Sequence, residues 1–133
     1  MGRVFFNTRK NVVDQDGPHT MTAEDSGKTF LVSGGAQTIT LLPAADLIEG
    51  WNCRFITTAS PSGDKVIGAG STIMHGSSAN GSGDAGAASD GTAKTSVTIE
   101  AASQAGNFVD IVCDGNAYYV SGTHGQNNAT TFA

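Results

Sequence analysis

The sequence lacks any long apolar run: nothing in its 133 residues approaches the ~20 needed to cross a bilayer. The leading MGRVFFNTRKNVV carries basic residues, but its apolar stretch is too short for a secretory h-region. The chain is therefore expected to be made and used without crossing a membrane through a signal of its own. Charge is scarce, at 14% of residues, and aromatics reach only 7%. A disordered chain would show more net charge and fewer β-branched residues, so that class is excluded. Periodic runs of Ala, Leu, Glu and Lys are missing as well, which excludes a helical bundle. Cysteine is limited to Cys53 and Cys113, a spacing that matches no metal signature. Each lies in a strand-like apolar run and reads as a buried free thiol, with a disulfide between neighbouring strands as the alternative.

What is present is Thr, Val, Ile and 18 glycines, a mixture that favours short strands and many turns. The net charge of −5 argues against nucleic acid, whose phosphates demand a basic surface. Its distribution is uneven. Residues 1–13 hold Arg3, Arg9 and Lys10 and no acid, whereas the remainder holds four basic and twelve acidic side chains. A basic arm thus leads into an acidic body. The arm reads either as a terminus of no consequence or as a segment that docks on an acidic partner surface.

The pattern along the chain predicts an all-β fold: a small single-domain β-sandwich or barrel of short antiparallel strands, with extended termini and one long Gly/Ser/Ala loop. Residues 1–19 read as the arm and a turn, 20–122 as the β domain and 123–133 as a polar tail. TMT (20–22) and KTFLV (28–32) read as strands. Gly34–Gly35 reads as a hairpin turn, because paired glycines permit the positive φ of tight β turns. In QTITL, Ile39 and Leu41 share one face and Thr38 and Thr40 the other. AADLIEG (44–50) suits one helical turn after Pro43. WNCRFIT alternates again, with Trp51, Cys53 and Phe55 inward, and KVIG and STIM suggest two further strands. Residues 75–92, HGSSANGSGDAGAASDGT, offer only alanine to a core and read as a long loop. Strands resume at TSVTIEA and NFVDIVC, and Asp114–Gly115 is the strongest hairpin signal in the chain.

Signals for catalysis are weak. His19, His75 and His124 each sit near glycine or proline and read as exposed loop residues. There is no G-x-S-x-G elbow, no H-E-x-x-H and no phosphate-cradling glycine loop followed by Lys and Ser/Thr. Asp14 and Asp16 resemble the start of a calcium loop but lack the closing glutamate. NGSGDAGAASD is like a single turn of a calcium-binding β-roll, which needs stacked copies. No acid pair can be nominated for glycoside hydrolysis. The expectation is no enzyme, no cofactor and no metal.

The run TMTAEDSGKTFLVSGGAQTITLLPAA resembles a pattern found in the head decoration, or capsid cement, proteins of tailed bacteriophages. There a T-x-x-D-S-G-K-x-F segment precedes x-T-I-T-L-P-A, an aromatic-bearing strand and a G-D-x-V piece. The counterparts here are Thr22 to Phe30, Thr38 to Ala44, Trp51 to Phe55 and Gly63 to Val66, and Val109 to Gly122 is similar to a closing V-x-x-D-G-x-x-Y-x-V-x-G. The doubled leucine before Pro43 and the Ala/Gly/Ser segment depart from the pattern. The resemblance implies a structural virion protein on the capsid exterior, assembled in the host cytoplasm. Its partner would be the major capsid protein, and it would be a homotrimer without nucleic-acid or membrane partners. Arg3, Phe5, Phe6, Arg9 and Lys10 become candidate capsid contacts, Phe5 and Phe6 serving either as apolar anchors or as part of the domain's own first strand. Similar wording occurs in modules of phage tail and head fibres, which leaves a receptor- or glycan-binding module as the alternative.

Overall fold

The computed structural model of the chain describes residues 11–81, 86–89, 91–126 and 129–133. The strands among them are β1 Val12–Gln15, β2 His19–Thr20, β3 Lys28–Val32, β4 Gln37–Thr40, β5 Asn52–Thr57, β6 Lys65–Gly68, β7 Met74–Asn80, β8 Ala87–Ala88, β9 Ser96–Ile99, β10 Phe108–Cys113, β11 Tyr118–His124 and β12 Thr130–Phe132. Single 3₁₀ turns at Ala23–Asp25 and Ala44–Asp46 are the helical pieces among the described residues. The strands form a seven-stranded sheet, ordered β1-β3-β5-β10-β11-β7-β8, and a five-stranded sheet, ordered β12-β9-β6-β4-β2. The all-β, single-domain expectation holds.

Strand direction departs from the antiparallel expectation. β1–β3, β3–β5, β2–β4, β4–β6 and β7–β11 pair in parallel, while the other pairs are antiparallel. The cause is the route of the chain. From β1 to β7, successive strands alternate between the two sheets. Each crossing reverses direction, so the next strand back in the same sheet runs parallel to its predecessor. The Gly34–Gly35 turn is therefore an arch between sheets and not a hairpin. Gly34 adopts φ +70°, as a tight turn demands. Asp114–Gly115, by contrast, does close the expected β10–β11 hairpin. Its Asp114 carboxylate accepts the N–H groups of Asn116 and Ala117 at 2.8 Å each.

One core lies between the sheets. Phe30, Val32, Phe55 and Ile111 enter it from one side, Ile39, Ile67, Val97 and Ile99 from the other. The alternation read in β4 and β5 places their side chains inward as expected, and β9 and β10 bury alternate residues in the same way. Phe30 and Phe55 face each other across a parallel pair and stack with centroids 5.3 Å apart. Trp51 meets Tyr118 edge-on at 6.0 Å. Their polar tips are satisfied: Trp51 Nε1–H donates to the Thr22 carbonyl at 3.0 Å and the Tyr118 hydroxyl to that of Leu42 at 2.8 Å. Such side chains contribute about 1.5–3 kcal/mol each on burial.

Three further corrections concern segments read as irregular. STIM is not a strand of its own; only Met74 belongs to one, as the first residue of β7. The segment 75–92 supplies most of β7 and all of β8. It anchors without large side chains because small residues let backbones approach closely: a Cβ on Gly76 would overlap the Val120 carbonyl, and one on Gly86 that of Ser78. The presumed tail continues β11 to His124 and adds β12 alongside β9, with Ala129 and Thr130 buried.

Candidate functional site

The candidate contact residues Arg3, Phe5, Phe6, Arg9 and Lys10 lie outside the described residues. The segment that carries the resemblance, however, is fully visible, and it forms a polar knot at the end of β3. The chain turns at Thr22, and the carboxylate of Asp25, 5% exposed, accepts the Thr22 N–H at 2.9 Å. It also accepts from Lys28 Nζ at 2.7 Å and meets His19 Nε2 at 3.2 Å. Burial by itself would raise the Asp25 pKa. Lys28, the Thr22 N–H and His19 outweigh that effect and hold the carboxyl below its ordinary value. Gly27, at φ +79°, turns the chain so that its N–H reaches the Asn52 carbonyl at 2.7 Å. Thr22, Asp25, Gly27, Lys28 and Phe30 thus all act in holding the scaffold.

A second buried ion sits at the arch between β3 and β4. Lys65 is fully buried, and its ammonium donates to the carbonyls of Gly34 and Gly63 at 2.8 Å each and to that of Gly35. Burial pushes its pKa down, partly offset by Asp64. The three carbonyls replace the water a buried ammonium would otherwise need.

The histidines are not loop residues. His19 lies in β2, half-buried; His75 lies in β7; His124 lies in β11 and is only 3% exposed. His124 Nδ1 and the Ser78 hydroxyl are 2.8 Å apart. Hydroxyl and imidazole are two parts of a hydrolytic relay, yet Ser78 is itself 2% exposed, so its oxygen faces the interior. Burial lowers the His124 pKa, which keeps the ring neutral near pH 7. Among the described residues, no carboxylate bonds to this ring and no cluster of three or more His, Cys, Asp or Glu could hold a metal. Cys53 and Cys113 are both free and buried. They lie on the neighbouring strands β5 and β10, where Cys53 opposes Ile111, two residues from Cys113. Burial first, then the Asp25 and Asp110 charges, pushes the Cys53 thiol far up and leaves it inert.

The outer faces of the sheets differ in chemistry. Across the five-stranded sheet run two rows, Thr38–Val66–Thr98–Thr131 and Thr20–Thr40–Gly68–Ser96, none of them charged. Across the seven-stranded sheet, Asn52, Val112, Tyr119 and His75 form one row and Thr29, Arg54, Asp110, Ser121 and Ser77 the next. Tyr119 and Val112 are 49% and 48% exposed. The Tyr119 ring stacks on His75 at 6.0 Å, and the Asp114 carboxylate beside its hydroxyl raises the phenol pKa. Arg54 bonds both oxygens of Asp110, at 2.5 and 2.6 Å, and lies 4.7 Å from the Phe108 ring centroid. A shallow depression of about 410 Å³ opens beside this row. Sequence reading missed the face, because its residues come from strands far apart in the chain, from Thr29 in β3 to Ser121 in β11. No family model matches the chain, nor does any curated protein or solved structure.

Proposed function

We propose that this chain is a structural virion protein that binds the outside of an assembled phage capsid and stabilises contacts between neighbouring capsomers. The observation that carries the reading is the T-x-x-D-S-G-K-x-F segment, whose Asp25–Lys28 pair and Gly27 turn act as a clasp for the sandwich. The residues on which the resemblance rests are therefore those that define this scaffold. The Thr/Val rows of the five-stranded sheet suit close apposition to a protein surface, since charge there is confined to Asp64 and Glu100 at the strand ends. The arm, with Arg3, Phe5, Phe6, Arg9 and Lys10, supplies cationic and aromatic anchors of the kind that dominate binding energy at interfaces. A homotrimer around a three-fold position of the lattice multiplies such contacts through avidity. Partners of the assembled lattice stabilise that state by mass action.

The test is occupancy on particles. Deleting residues 1–10 is expected to leave the thermal unfolding midpoint within a few degrees and to lower occupancy on purified capsids, seen by electron microscopy as fading surface knobs. Full occupancy by the truncated protein would refute the arm's role. Absence of any knob that depends on the full-length protein would refute the capsid reading itself. A second reading, a glycan-binding module of a fibre, is favoured by one observation: the exposed Tyr119–His75 stack beside a polar depression.

A further inference from the structure

We propose that the outer face of the seven-stranded sheet is a binding site for a neutral glycan chain, with Tyr119 as the stacking surface and the Arg54–Asp110 pair as the hydroxyl clamp. This goes beyond the capsid reading and does not depend on it, since it concerns the free domain.

The ligand class follows from what the face offers. Tyr119 presents an exposed ring whose position is set by His75 on the next strand and by Asp114 at its hydroxyl. A ring held in place loses little freedom on binding, and its face suits the C–H side of a pyranose. Beside it, Asn52, Thr29 and Ser121 line the depression with Arg54 and Asp110. Together these groups provide both donors and acceptors, as the hydroxyls of a sugar require. The guanidinium is held by two hydrogen bonds to Asp110, so the clamp is organised before a ligand arrives.

Charge selects against other ligands. The charged side chains lining the depression are Lys28, Arg54 and Asp110. Lys28 is paired with Asp25 and Arg54 with Asp110, so no unpaired cation is left to attract a phosphate or sulfate group. A protein partner would need an apolar centre within about 800 Å² of buried surface on each side. Here the exposed large apolar side chains of the inner strands are Val112 and Tyr119, with Val12 at the edge. Half-buried Leu31, Ile56 and Phe108 form a further row on this face, but the Arg54–Asp110 row separates them from Val112 and Tyr119, so the apolar surface is not gathered into the single centre a stable protein interface needs.

The experiment is a backbone-amide NMR titration of the full chain with maltohexaose, cellohexaose and mannohexaose, and with polygalacturonate as the charged comparison. Saturable shifts centred on Asn52, Arg54, Asp110, Tyr119 and Ser121 with a neutral oligosaccharide are expected. Tyr119→Ala should weaken that binding about tenfold, and Asp110→Asn should weaken it too. Val66→Thr on the opposite sheet should leave it unchanged. No saturable shift with any neutral oligosaccharide, a preference for polygalacturonate, or binding indifferent to Tyr119→Ala in a folded variant would each overturn the assignment. Capsid occupancy of Tyr119→Ala, measured separately, keeps the outcome distinct from that of the capsid reading.

Discussion

Asp25 and His124 show how single buried groups tie stability to pH, with the same sign for different reasons. The Asp25 carboxyl is held below its ordinary value of 3.8 in the fold. Its contribution is therefore complete above that value and is lost as pH falls through the lower, folded pKa. Asp25→Asn should remove the acid-side loss, and should cost about 1–2 kcal/mol at neutral pH through the lost charge-assisted hydrogen bonds, because the partly exposed Lys28 can turn to solvent. Urea midpoints measured from pH 6 down to pH 2 check both expectations. His124 is the buried base. Its pKa is lowered from 6.5, so between the two values the unfolded chain binds the proton more readily. Stability is complete above about pH 6.5 and declines as pH falls through the window below it. His124→Gln should flatten that slope, whereas a slope equal to that of the parent protein would show that the Ser78–His124 contact is not its source.

At the scale of the element, the arrangement of β7 between β11 and β8 depends on glycine. Gly76 lies opposite Val120 in a parallel pair, so close that any Cβ would overlap the Val120 carbonyl. Gly76→Ala is expected to destabilise the protein by about 3 kcal/mol. Hydrogen exchange should quicken first in β7 and β8, because the strain is borne by the β7–β11 pairing. Uniform loss of protection across both sheets would instead mean that this ladder opens only with the whole domain. The segment reads as a loop because it holds no large apolar residue, the usual mark of a strand. Here the anchoring comes from close backbone contact, for which glycine, serine and alanine are suited.

Across the whole molecule, the two sheets present unlike outer faces, one rich in threonine with its charges, Asp64 and Glu100, at the strand ends, the other bearing an aromatic row and paired ions. A lattice-binding protein can use both at once: one face or arm to attach, the other to meet what the particle encounters. The truncation and titration experiments probe these surfaces separately. Loss of occupancy with intact sugar binding would assign attachment to the arm and recognition to the seven-stranded sheet.

Local pattern was enough for the β character, the inward sets of β4 and β5, the β10–β11 hairpin and the buried state of both cysteines. These follow from alternation and turn chemistry, which act within a few residues. Tertiary structure decided which sheet each strand joins, and so the parallel pairing, the arch at Gly34–Gly35, the carbonyl cage around Lys65 and the burial of His124. An arch and a hairpin use the same glycines and the same alternation. The choice between them rests on contacts made tens of residues away, such as Gln37 opposite Lys65 and Gly76 opposite Val120. No local pattern carries that information, because the free energy that selects the pairing is released only when distant strands meet around a shared core.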